Sequence, residues 1–145
     1  MTIALAIEAL RGGGQGIALD MLPYAAFLGV RADRDGDDVA LFMPFHERLI
    51  GSPGRLHGGA IAGLLELAGT ARLLVALADE EVVPLLKPVT ITVDYLREGG
   101  AQGTHAAATL TRLGRRVANL HVTAWQYDHG RPIASANLNV ILDRG

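Results

Sequence analysis

Between Arg55 and Leu77 the chain reads RLHGGAIAGLLELAGTARLLVAL, an apolar run of more than 20 residues with one carboxylate, Glu66, in its middle. Alanine and leucine dominate it and no proline occurs between Gly54 and Val83, so the run predicts a long buried helix. Ile61, Leu64, Leu65, Ala68 and Val75 recur at three- and four-residue spacing on one side, interrupted by Arg72. Gly59, Ala62, Gly63, Glu66, Gly69 and Thr70 follow the same spacing on another side, which places the carboxylate among very small side chains. Interior glycines cost about 1 kcal/mol each relative to alanine. Gly63 and Gly69 therefore imply that a second helix or a slender ligand comes close to the backbone.

The remaining pattern surrounds this helix with strands. Thr2 to Leu10 predicts a helical turn or two, ended by Gly12-Gly13-Gly14-Gln15-Gly16, so residues 1–16 are read as a helical turn and glycine-rich linker and 17–145 as a single domain. Ile17 to Leu28 is expected to be a short helix with Pro23 at a start or kink, and Asp33 to Asp38 a charged turn. Val39, Leu41 and Met43 alternate as a first strand before Pro44, and a loop with a Pro53-Gly54 turn leads to the helix. After Asp79-Glu80-Glu81, four strands are expected as a meander. The first carries Val89, Ile91, Val93 and Tyr95 on one face, and the second spans Gln102 to Leu113. In the third, Ala118, Leu120, Val122 and Ala124 oppose Asn119, His121 and Thr123; in the fourth, Ala134, Ala136, Leu138, Val140 and Leu142 oppose Ser135, Asn137 and Asn139. Short turns make the sheet antiparallel. The class is α+β, a curved antiparallel sheet wrapped around one long central helix.

Composition narrows the functions. At 145 residues the chain is the size of one domain with a substantial core, and a net charge of −2 argues against nucleic acid. There is no cysteine, hence no disulfide framework or thiolate metal site. His46, His105, His121 and His129 lack metal-ligand spacing, so no metal is expected. The glycine run has neither a preceding strand nor a following GK[ST], which excludes a phosphate loop. The N-terminal TIALAIEAL lacks the positive region and cleavage pattern of a signal peptide, and cytoplasmic is the expected compartment. Glu66 and Arg72 would each cost about 3 kcal/mol near a bilayer centre, which argues against a membrane span.

Two places can carry chemistry. His57-Gly58-Gly59 opens the helix, where backbone N–H groups have no partner in the chain and the dipole is positive. It is either a plain glycine-rich turn or an oxyanion site, in which pre-aimed donors stabilise developing charge by about 3 kcal/mol. Glu66 is either a solvent-facing or ion-paired residue, with Arg72 as a candidate partner, or a functional carboxylate. His57 and Glu66 are nine residues apart, about 13 Å along one helix, so they cannot act on the same bond. If both serve one reaction, the carboxylate comes from a second copy in a two-fold dimer. Thr70, one turn after Glu66, could hold its carboxylate or a water.

The segment LHGGAIAGLLELAG resembles the signature of hotdog-fold acyl-CoA thioesterases, in particular the PaaI-like group related to phenylacetate degradation proteins and 4-hydroxybenzoyl-CoA thioesterases. The resemblance runs from about Pro23 to Leu142 and includes VTITVDYLREG and LTRLGRRVANLHVTAW. It implies hydrolysis of an acyl-CoA by Glu66 as general base or nucleophile, a thioester carbonyl polarised by the Gly59 N–H, a turn shaped by His57 and Gly58, and a supporting Thr70. Gly58, Arg115 and Arg116 are the implied coenzyme A contacts. No cofactor is implied, coenzyme A being part of the substrate, and the implied assembly is a homodimer or tetramer with the active site between subunits. Two positions depart from the pattern. Gly51 stands where an Asn or Gln is usual, and Pro88, or Thr90 with a shift of two, where Ser or Thr is usual. A non-catalytic acyl-CoA-binding or regulatory protein is the alternative, and a dehydratase ranks below it. Acyl preference is expected to follow the packing of Leu64, Leu73, Tyr24 and Phe27.

Overall fold

A computed structural model describes residues 1–145. In chain order it contains α1 (Ile3–Arg11), β1 (Ile17–Ala18), α2 (Pro23–Leu28), β2 (Arg31–Asp35), β3 (Asp38–Met43), a 3-10 turn (Glu47–Leu49), α3 (Gly58–Ala76), β4 (Leu85–Tyr95), β5 (Thr104–Leu113), β6 (Val117–Trp125) and β7 (Ala134–Asp143). The strands form one antiparallel sheet in the order β1-β2-β3-β5-β6-β7-β4, curved around α3. This is the hotdog fold.

The period-two pattern sets the sheet's two faces. Ala118, Leu120, Val122 and Ala124 of β6 and Ala134, Ala136, Leu138, Val140 and Leu142 of β7 are all buried against α3. On the outer face Asn119 Nδ2 donates to Asn139 Oδ1 at 2.5 Å, and His121 Nδ1 lies 3.0 Å from Asn137 Oδ1. From α3 the sheet receives Ile61, Leu64, Leu65, Ala68 and Leu73, each at most 4% exposed. The helix is long and apolar enough to cross a membrane, but these side chains are spent on the sheet instead.

Several local expectations change. The span from Ile17 to Leu28 is not one helix: Ile17–Ala18 pairs with β2, and α2 begins only at Pro23, the first helical position, where proline's missing N–H costs nothing. Asp33–Asp38 is not one turn. Asp33 to Asp35 end β2, and the turn is only Gly36-Asp37, with Gly36 at φ +60°. Arg34 lies on the same face of β2 as the buried Ala32, opposite Val39, and this charge on the inner face hid the alternation. α1 buries Ala6 and Leu10 and shares an apolar cleft with Leu67, Ala71, Leu74 and Val75 of α3.

The last four strands are not a meander either. Only β5-β6-β7 is one; β4 pairs with β7 alone and occupies the sheet's edge. Leu96 to Gly103 crosses the end of the sheet, too long for a hairpin turn, with Leu96 and Arg97 N–H donating to Ile133 O and Leu56 N–H to Gly99 O. On the helix side of β4, Ile91, Val93 and Tyr95 share rows with Leu138, Ala136 and Ala134. Yet Ile91 is 37% and Tyr95 56% exposed, so this edge overhangs α3.

Candidate active site

The start of α3 is built by its own side chains. His57 is the N-cap, extended at φ −63° and ψ 132°, and its Nδ1 accepts the N–H of Gly59 at 2.9 Å. That nitrogen is therefore unprotonated, and the Gly59 N–H is not available to a substrate, contrary to the role expected of it from sequence. Ala60 and Ile61 N–H both reach His57 O, at 3.0 and 3.3 Å. Gly58 is left with the one N–H in this turn that donates to nothing in the chain. Its carbonyl accepts from the Tyr95 hydroxyl at 2.9 Å, which fixes the peptide against β4. Gly58 and Tyr95 border an open cavity of ≈400 Å³ together with Arg55, Ile61 and Arg97.

Glu66 is half-buried and has no hydrogen-bond or ion-pair partner in the chain. Arg72 does not serve it: that guanidinium points to Asp38, with Nε 3.4 Å from Oδ1. Thr70, also half-buried, lies one turn further on, and its hydroxyl bonds nothing. The glycines around Glu66 have reasons inside the chain. A Cβ on Gly63 would stand 2.5 Å from Tyr24 Cε1, and one on Gly69 2.9 Å from Leu138 Cδ2, so Tyr24 and the sheet make the close approaches expected of a second helix or ligand. Gly69 moreover is buried in the core and does not share the surface of Glu66.

The other expected residues divide. Leu64 and Leu73 are fully buried under the sheet and cannot line an acyl pocket, whereas Tyr24 and Phe27 stack at 6.1 Å and are about half exposed. Gly51 lies so close to the cap that a Cβ would meet His57 Cα at 2.9 Å, leaving no room for an amide side chain. Arg115 and Arg116 form the exposed β5–β6 turn and border a cavity with Ile141, Asp143 and Arg144 that shares no residue with that of Gly58. Tyr95 pairs with Ala134 and Val117 with Ile141, so within one chain these arginines lie about 24 Å along β7 from the Gly58 end. The place of Tyr95 and Arg97 beside Gly58 was not legible in the sequence, because nothing local in VDYLR shows that the strand ends against the helix cap.

The acyl-CoA thioesterase N-terminal domain family matches residues 50–140, which hold α3, the helix cap, Glu66 and β4 to most of β7. The chain belongs to that family. It is thereby a thioester hydrolase by family, and its fold is shared with solved relatives. A protein of Chromobacterium violaceum is 26% identical over 98% of both chains, with a TM-score of 0.73. A mutant thioesterase of Pseudomonas aeruginosa is 20% identical over 99% of this chain and 95% of its own, at 0.74. A phenylacetic acid degradation-related protein of Ralstonia eutropha is 18% identical over 94% and 99%, at 0.71. No curated protein matches the chain by sequence.

Proposed function

We infer that this thioesterase hydrolyses an acyl-CoA to a carboxylic acid and coenzyme A as a two-fold dimer, each site combining Gly58 of one subunit with Glu66 of the other. The observation that carries this is the pairing of one free N–H with one unpartnered carboxylate on the same helix, eight residues and about 12 Å apart. One helix cannot bring both to one carbonyl, and two antiparallel copies can. β4 supports such a dimer. It is an unpaired edge with exposed Val89, Ile91 and Tyr95, and paired edges would continue the sheet and cover the overhang.

In the site, the thioester oxygen accepts the Gly58 N–H, and the cap of His57 and Tyr95 holds that donor in place before substrate arrives. As general base, Glu66 takes a proton from water while the water oxygen attacks the carbonyl carbon. The tetrahedral intermediate collapses with cleavage of the C–S bond, and the thiolate takes the proton back. As nucleophile, the carboxylate itself attacks, expels the thiolate and leaves an anhydride that water cleaves. Both routes use the same two groups, with Thr70 steadying the carboxylate or the water. The reaction takes no cofactor, and we place the enzyme in the cytoplasm.

The test is thiol release from short, medium, long and aromatic acyl-CoAs by wild type and Glu66→Gln. Release that falls about 10²- to 10⁴-fold in the variant supports the reading. Gly51, which supplies no amide beside the cap, favours a second reading as a non-catalytic acyl-CoA-binding protein; coenzyme A binding without release from any substrate would establish that one.

A further inference from the structure

At the end of the sheet where β4 leaves for β5, Arg55, Arg97 and Arg131 converge on an open bay of ≈320 Å³. Arg55 and Arg97 also line the cavity that holds Gly58, so the two hollows share these guanidiniums as a common wall. We propose that this bay holds a phosphate of the substrate's phosphopantetheine arm, with Arg131 and Arg97 as its donors. The proposal rests on the hydrolase reading above and places the phosphate away from Arg115 and Arg116.

The charges in the bay are unequally used. Arg55 is paired with Glu98 at 2.9 Å, and Asp128, whose Oδ1 accepts the Gly130 N–H at 2.8 Å, is the one carboxylate lining the bay without a cationic partner, against two arginines in the same position. Arg97 gives one Nη1 hydrogen to Pro132 O at 2.7 Å and keeps the rest of its fork. Arg131 has no side-chain partner in the chain. Two guanidiniums with open N–H groups beside a polar floor suit the bidentate geometry of phosphate oxygens.

The floor is also made in advance. Gln126 Oε1 accepts the Gly100 N–H and its Nε2 donates to Gly100 O, both at 3.0 Å, and to Oγ1 of the buried Thr104 at 3.1 Å. Gly99 O in turn receives the N–H of Leu56, the residue before the helix cap. The bay and the Gly58 donor therefore ride on one hydrogen-bonded piece, so a phosphate anchored in the bay sets where the thioester end of the arm lies. Coenzyme A and a carrier protein both supply this phosphate, and an unphosphorylated pantetheine does not.

The experiment measures kcat/KM for one acyl group carried on pantetheine, on 4′-phosphopantetheine, on coenzyme A and on an acyl carrier protein. Wild type is compared with Arg131→Gln, Arg131→Lys and the double variant Arg115→Gln/Arg116→Gln. The expected result is a wild-type preference for phosphorylated carriers that falls roughly 10-fold or more in Arg131→Gln and is partly restored in Arg131→Lys. Whichever phosphorylated carrier is preferred then identifies the source. Direct titration with phosphopantetheine and with pantetheine separates the two readings: phosphate-dependent binding lost in Arg131→Gln supports the bay even without turnover. Turnover indifferent to phosphate, or a preference that moves with Arg115→Gln/Arg116→Gln and not with Arg131→Gln, overturns the bay and leaves the hydrolase standing.

Discussion

Gly58→Pro removes the proposed oxyanion donor and very little else. Gly58 is the first residue of α3, the position where proline is best tolerated, and its N–H makes no bond that folding would lose. His57 has ψ 132°, already in the range that a following proline requires. A Cβ on Gly58 meets Tyr95 Oη at 3.3 Å, so Gly58→Ala, which keeps the N–H, is the control for that crowding. Loss of one oxyanion donor lowers kcat about 10²- to 10³-fold, and this difference is expected between the proline and alanine variants. The dimer can be tested with the same protein. When Gly58→Pro and Glu66→Gln subunits are refolded together in equal amounts, random pairing makes about half the dimers mixed, each with one intact and one doubly defective site, so thiol release should return to about one quarter of wild type. A mixture no more active than its two parents would place Gly58 and Glu66 outside any shared site and refute the two-subunit geometry.

Two further outcomes follow from packing and charge. Gly69→Ala gains about 1 kcal/mol of helix propensity but drives its Cβ to 2.9 Å from Leu138 Cδ2 in a core where Leu138 is 1% exposed, and overpacking of about 1–3 kcal/mol should prevail; the same change made on a Leu138→Val background should instead stabilise, and a higher melting temperature for Gly69→Ala alone would contradict this. Asp143 is held below its ordinary 3.8 by the hydrogen bond from Lys87 at 2.6 Å, then by the Gly145 N–H and the Lys87 charge, with desolvation opposing weakly. Its folded value is the lower one, so its contribution is present above 3.8 and is lost as pH falls through the folded value. Lys87→Met should therefore lose less stability on acidification than wild type, read as urea midpoints at neutral pH and well below 3.8.

What the sequence determined by itself is whatever a short-range period can encode. The apolar run from Arg55 to Leu77 and the alternation of Ala118 to Ala124 and of Ala134 to Leu142 specified a helix and two strands with the correct buried faces, and the run placed a single carboxylate, Glu66, within that helix. These signals survive because burial on one face of a regular element repeats every two residues in a strand and every three or four in a helix. The tertiary structure alone decided what depends on partners distant in the chain. It carried β4 across to pair with β7, gave Arg72 to Asp38, and set Tyr24 against Gly63 and Leu138 against Gly69. It also settled which N–H is free at the helix cap. Gly58 and Gly59 are equivalent in sequence, and only the rotamer of His57, which turns Nδ1 onto Gly59, distinguishes the occupied donor from the one left open.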